Sequence, residues 1–592
     1  MHLAHADPAA GAPLGELVPA AIVGAVIVAA LVAFGVAHRS GKTSLLTRTG
    51  AFAERVSGLP PWAGVGASVT ALSLLVAVFG FYWDVATHID NGRDPGPFAN
   101  PSHFLIIGGL AGIALAGVLA CLLGSRPTST SVCLRAGWEV PLGGLLLLLC
   151  GGIAVLGFPL DDVWHRLFGQ DVTLWSPTHL QMVGGAALST LALWILLVEG
   201  GRTDSADEAR RLRTMRLAEP FLAGAFLIGL SAFHAEFDYS VPQFRLLYHP
   251  VLLMLTSGVA LVAARIRLGH LGALKAVGFF ILLRALLSLA IGPVMGHTTL
   301  HFPLYLVEAL GVEIVASTMG TERRVRFGAA AGAVIGTFGL AAEWGWSQVW
   351  MTIPWPGSLM PEGIFLGFGA AVAGGAFGGF IGRALTDPPQ QSTPAARPVA
   401  WATAAGVLVA LAYPLPTDAA LEGRTEMSLR SAGDSRARLE VQLEPRDVAD
   451  EAEWFNVTAW QGGGSVVEPF VRTSDGRYRT ENAVPIGGEW KTMVRLHRGR
   501  SLMAAPVYLP EDAAIPAPEV PARDQVARPL TSDKKMVLRE AKEVGPELIY
   551  PASILLVSLV GVWVAALGWG LHRLERQRPG RSRAGAAVPV TG

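Results

Sequence analysis

The sequence is short of charge and nearly without cysteine. Only 16% of its 592 residues are charged, while 51% are hydrophobic. Soluble globular domains carry about 25% charged residues, so this composition excludes an ordinary cytosolic domain. Mean hydropathy is +0.44. The three cysteines, Cys121, Cys133 and Cys150, fall in or near apolar segments. That excludes a disulfide framework and a thiolate zinc site. Neither sign of charge dominates: 46 basic residues balance 46 acidic ones. A nucleic-acid partner needs a basic patch, and none is expected. Glycine and tryptophan are abundant, at 69 and 16 residues. Both suit membrane helices and their interfacial belts. The expectation is a polytopic protein of the plasma membrane whose first partner is the lipid bilayer.

A membrane-spanning helix needs ~20 mostly apolar residues. Runs of that kind give about 13 spans, near 17–37, 62–83, 103–123, 140–159, 179–198, 219–237, 249–264, 272–291, 301–318, 327–346, 363–383, 399–413 and 548–571. His38, Arg39 and Lys42 follow the first span and no Lys or Arg precedes it, which reads as an uncleaved anchor. The segments after alternate spans hold 24 Lys/Arg, span ends included, whereas the opposite short loops hold only Arg93, Arg166 and Arg245. The positive-inside rule then places the N-terminus outside and the C-terminus inside. The fold class expected is an all-α membrane helix bundle with one extracytoplasmic β-sandwich inserted before the last helix. Residues 1–413 form the bundle, 414–505 the sandwich, 506–547 a Pro-rich tether and charged segment, 548–571 the last span, and 572–592 a basic cytoplasmic tail. Alternating segments such as Leu439–Leu443, Trp454–Trp460 and Met493–Leu496 supply the strands.

Histidine carries the functional signal. Eleven of fourteen fall on the expected outer side. One hairpin reads Trp83-Asp84-Val-Ala-Thr-His88 and then Asn100-Pro101-Ser102-His103, ending in Gly108-Gly109; another reads Asp161-Asp162-Val-Trp-His165 and then Ser176-Pro177-Thr178-His179, ending in Gly184-Gly185. This is an internal repeat. Residues i and i+4 share a helix face, so Asp84 and His88 can present two ligand atoms together. The third ligand opens the next helix, where proline is favoured. One carboxylate and two imidazoles suit copper, iron or zinc and leave positions open. His234, Asp238 and His249 form a permuted third copy. Two metal-free readings stand beside this one: a capping and hydrogen-bond network, and a proton relay built from Asp and His. Arg284 and Glu308 fall at equal depth in the hairpin of the eighth and ninth spans, so an intramembrane ion pair is expected there. Glu308 with Glu313 offers a proton path as the alternative. Trp344, Trp346, Trp350 and Trp355 are expected in an interfacial belt.

Two resemblances follow from quoted residues. Gly476-Arg-Tyr478, Val484-Pro-Ile-Gly-Gly-Glu-Trp490 and Val494-Arg-Leu496 make the inserted domain similar to the FixH/YtkA-like family of extracytoplasmic sandwiches. That resemblance implies a setting near copper and cytochrome-oxidase assembly, with membrane subunits or copper chaperones as partners. The repeated D-x3-H followed by His is similar to the metal site in the C subunit of copper membrane monooxygenases, the particulate methane and ammonia enzymes. That resemblance implies copper at Asp84, His88, His103 and at Asp161, His165, His179, with oxygenase chemistry as one possible role. Copper acquisition or oxidase assembly is the function expected first, an oxygenase component second, and a metal-free transporter or assembly partner third.

Overall fold

The computed structural model describes residues 12, 14–94, 98, 100–124, 128–135, 137–169, 173–203, 206–386, 421–537 and 545–575. The span expected at 399–413, and the tail beyond Glu575, lie outside the described residues. The chain is mostly helical, with a separate C-terminal barrel-like sheet domain. Ten helices among the described residues are long and apolar enough to cross a membrane, from Gly15–Arg39 to Gly357–Leu385. The count falls below thirteen for identifiable reasons. The helix expected at 301–318 is shortened to Leu306–Met319, 14 residues, behind a stretch without regular structure at 298–305. The helix Pro546–Glu575 has the length of a span, but several of its side chains lie outside the description.

The hairpins of the bundle follow from local chemistry. Asn100 caps helix Pro101–Leu123 by accepting the Ser102 N–H at 3.1 Å. Ser176 caps helix Pro177–Gly201 by accepting the His179 N–H at 3.3 Å. In both helices proline stands at the first position, where its missing N–H costs nothing. The second glycine of each Gly-Gly pair sits where helices cross. A Cβ at Gly109 would stand 2.8 Å from Ala77 Cα, and one at Gly185 would stand 2.7 Å from the Cys150 carbonyl oxygen. No other residue permits that approach.

A short hairpin, β1 (Val132–Arg135) and β2 (Trp138–Val140), joins two helices at one end of the bundle. At the other end stands the sheet domain: β3 (Arg424–Ser431), β4 (Arg436–Glu444), β5 (Trp454–Trp460), β6 (Ser465–Ser474), β7 (Arg477–Thr480), β8 (Val484–Pro485), β9 (Lys491–Arg498), β10 (Ser501–Tyr508), β11 (Gln525–Pro529) and β12 (Thr531–Ser532). The strands run β11-β3-β4-β7-β6-β5-β9-β10-β12, with β8 on β4. Residues 506–532, expected as a stiff tether, instead fold back into the domain: β11 pairs with β3 and β12 with β10. Pro506 sits beside a register shift in β10, and the remaining prolines lie between or at the end of the short strands, where no ladder N–H is lost.

The domain rests on the bundle through backbone and ionic contacts. Gln461 N–H donates to the Ile89 carbonyl at 3.0 Å and Gly463 N–H to that of Asp90 at 2.9 Å. Arg245 bonds the Gly499 carbonyl at 3.0 Å and Glu362 at 2.6 Å. Arg93 pairs with Asp512 at 2.9 Å. Arg495 is held by Asp533 and donates to the Pro242 carbonyl at 2.9 Å.

Candidate metal centre

Both repeats bring their three side chains together. In the first, His103 Nε2 lies 2.9 Å and His88 Nε2 3.6 Å from Asp84 Oδ1. In the second, His179 Nε2 lies 3.4 Å from Asp161 Oδ1, and His165 Nε2 3.7 Å from Asp161 Oδ2. In each set the candidate ligand atoms fall within 4.8 Å of one another. Ligand atoms around a four-coordinate ion with ~2.0–2.1 Å bonds stand about 3.3 Å apart. The donors therefore fit a first-row metal after small side-chain shifts.

The surrounding bonds orient these donors. His88 Nδ1 donates to the Gly92 carbonyl at 2.9 Å, and His179 Nδ1 donates to the Thr173 carbonyl at 2.7 Å. A carbonyl oxygen only accepts, so in both rings Nδ1 carries a proton and Nε2 is the atom turned toward the set. This is how a backbone partner fixes the tautomer of a metal-binding histidine. The aspartates are steadied in parallel ways. Asp84 Oδ1 accepts from Ser102 Oγ at 2.7 Å and Asn100 Nδ2 at 3.1 Å; Asp161 Oδ1 accepts from Thr178 Oγ1 at 2.5 Å. Each first helix ends at a glycine with positive φ, Gly92 at 81° and Gly169 at 79°, whose N–H returns to the histidine carbonyl at 3.0 Å. The repeat is thus wider than its ligands: it reads D-x3-H-x3-G.

Two neighbours carried no readable signal. Asp94 Oδ2 stands 3.5 Å from His88 Nε2 and 3.6 Å from His103 Nε2. It is buried without a hydrogen-bond partner, and it makes the first set a four-donor group. Glu236 accepts from Thr173 Oγ1 at 2.7 Å and Leu174 N–H at 2.8 Å. Both sets, Asp94 and Glu236 line one cavity of about 230 Å³. Phe81, Ile106, Phe158 and Met182 supply apolar wall, and Thr458, Trp460 and Arg495 of the sheet domain close it.

The third expected set does not assemble. His234 and His249 are neighbours, with ring centroids 5.9 Å apart, but Asp238 turns away to Arg284 and both side chains are fully buried. A buried guanidinium needs a carboxylate more than two imidazoles do. This also corrects the expected ion pair. Arg284 meets Asp238, and its guanidinium lies 4.2 Å from the Tyr82 ring centroid. Glu308 has another neighbourhood, and Glu313 pairs with Arg265 at 2.7 Å while accepting the Leu271 and Ala273 N–H groups. Trp355, expected in the belt, is instead buried and donates to His249 Nδ1 at 3.1 Å. His297 and His301 join no set: His297 bonds Asp90 at 2.9 Å, and the His301 ring faces Trp350. In the sheet domain His497 is buried and donates Nε2–H to the Gly499 carbonyl at 3.2 Å. Burial, with Arg245 and Arg495 nearby, pushes it down to about 3, which keeps it neutral.

Comparison with protein-family models, with curated proteins and with solved structures finds no match to this chain.

Proposed function

We propose that the chain is an integral membrane copper-binding protein that holds one ion at each Asp/His/His set and acts in copper acquisition or oxidase assembly. The observation that carries the reading is the duplication. Two hairpins bring the same three donors together, with one histidine of each set anchored through Nδ1 by a backbone carbonyl, and both sets line one cavity. A capping network has no need of the same Asp/His/His set in two separate hairpins. In this reading Asp84, His88, His103 and Asp94 hold one ion, and Asp161, His165 and His179 the other. The metal would supply a Lewis-acid or redox centre with positions open to the cavity. Loop charge supports an extracytoplasmic position for this end of the bundle, and the sheet domain over the cavity suits controlled loading and release.

A second reading, an oxygenase component, draws support from the cavity itself, which is partly apolar and so able to seat a small molecule beside both sets. Chelator-free purification followed by elemental analysis tests the metal. Copper is expected in the wild type, with most of it lost in His88→Ala/His165→Ala. Zinc or iron in its place would keep the site and remove the copper reading; protein that binds no added copper would remove both. Oxygen uptake by the copper-loaded protein with a reductant favours the oxygenase. Copper transfer to an apo-acceptor without oxygen uptake favours delivery.

A further inference from the structure

The bundle contains a second polar cluster that the metal reading does not use. Helix Leu306–Met319 has 14 residues, about 21 Å of rise. That is short of the ~30 Å hydrocarbon core, and the residues before it, 298–305, run without regular structure into the bundle interior, where Leu300 and Tyr305 are fully buried. Backbone groups at such depth must find protein partners. Glu343 provides them, accepting the Leu304 N–H at 2.9 Å and the Tyr305 N–H at 2.7 Å through one oxygen. It is 3% exposed.

Glu308 lies three residues beyond Tyr305 and is 1% exposed. Neither of its carboxyl oxygens has a hydrogen-bond partner outside its own residue. Its side chain packs on Gly339, where a Cβ would stand 2.6 Å from Glu308 Cγ. Gly339 is one helical turn before Glu343 and closes a π-helical turn, Ile335–Gly339; such widened turns are frequent at functional sites. Glu308 thus packs on the helix face that carries Glu343. The fully buried guanidinium of the bundle core, Arg284, is committed to Asp238. Two carboxyl groups that share a dry site cannot both be ionised.

We infer that Glu308 and Glu343 form a proton-binding site within the membrane that holds one exchangeable proton between the two carboxyl groups. Glu343 remains the acceptor that the Leu304 and Tyr305 N–H groups require, and Glu308 carries the proton. The Tyr305 hydroxyl lies 3.4 Å from Nδ1 of His234, two residues before Glu236, which lines the cavity. The inference does not depend on the metal reading.

Infrared spectroscopy of the full-length protein in lipid nanodiscs tests it, with the proton as the probe. At neutral pH a protonated-carboxyl C=O stretch is expected that shifts in D2O and on 13C-glutamate labelling, and that loses intensity in Glu308→Gln. Should that variant not fold, Glu308→Asp keeps an acid in place and is expected to move the same band. A wild type without such a band, or a folded Glu308→Gln that leaves the band unchanged, overturns the inference. So does a band in the wild type that sodium or potassium chloride abolishes, because the site would then take a metal cation.

Discussion

Removal of the Arg284 guanidinium should be among the most damaging single changes in the bundle. Arg284 and Asp238 are both fully buried and paired with each other. Asp238 keeps its second oxygen, and Arg284 its Nε and Nη1, without partners, so the pair has little reserve. Arg284→Leu strands a carboxylate in the apolar interior, and loss of one partner of a buried pair costs about 3–5 kcal/mol. The lost contact with the Tyr82 ring, 4.2 Å from the guanidinium, adds up to ~2 kcal/mol when desolvated. Arg284→Leu/Asp238→Leu removes both charges and restores apolar packing. It should recover most of the loss, because apolar replacement of a buried pair is often neutral or stabilising. Thermal unfolding of the two single variants and the double in nanodiscs measures the coupling. A double variant at least 2–3 kcal/mol more stable than the sum of the single losses is expected. Additive losses would refute the pairing, and the same cycle with Glu308→Leu in place of Asp238→Leu should be near additive.

Other outcomes follow from the same geometry. Neutral, buried His497 makes the fold sensitive to acid: its folded value of about 3 lies below the unfolded one near 6.5. Between those values only the unfolded chain takes the proton, so this contribution falls as pH drops below about 6.5, by up to ~1.4 kcal/mol per pH unit; His497→Gln should flatten that slope in pH-dependent unfolding, and an unchanged slope would place its cause elsewhere. Gly109→Leu and Gly185→Leu should force apart helices in contact and lower the melting temperature by several degrees; wild-type melting would contradict the crossing geometry. Cys133 is exposed on the β1–β2 hairpin and serves as a native topology reporter. In intact cells an impermeant thiol reagent should spare it and label Glu511→Cys in the sheet domain; the reverse pattern would invert the orientation.

The aspartate–histidine sets were legible because each depends on short-range geometry: an i, i+4 pair, a proline-started helix and a hairpin between them. Asp94 was not, since it enters through the bend after Gly92, and no period marks a residue in a bend. Glu236 was missed for a related reason: helix Glu208–Ser231 gives way to a 3-10 turn at Ala232–His234, which re-aims the residues that follow. The partner of Arg284 was misread because depth along a hairpin says nothing about which way around the helix a side chain points. The break at 298–305 also removes the regular hairpin that equal depth requires. The Pro-rich segment looked like a tether because its strands are short, lie at sheet edges and alternate weakly. The barrel-like domain itself announced its strands by alternation, most plainly in β4, whose burial switches along Arg436–Glu444.

Anomalous diffraction or single-particle maps of copper-loaded protein would test the central claim most directly. The account predicts two copper positions, one bounded by Asp84, His88 and His103 and the other by Asp161, His165 and His179, each lost separately in Asp84→Ala and Asp161→Ala. Copper bound elsewhere, or no copper at either set after loading, would contradict it.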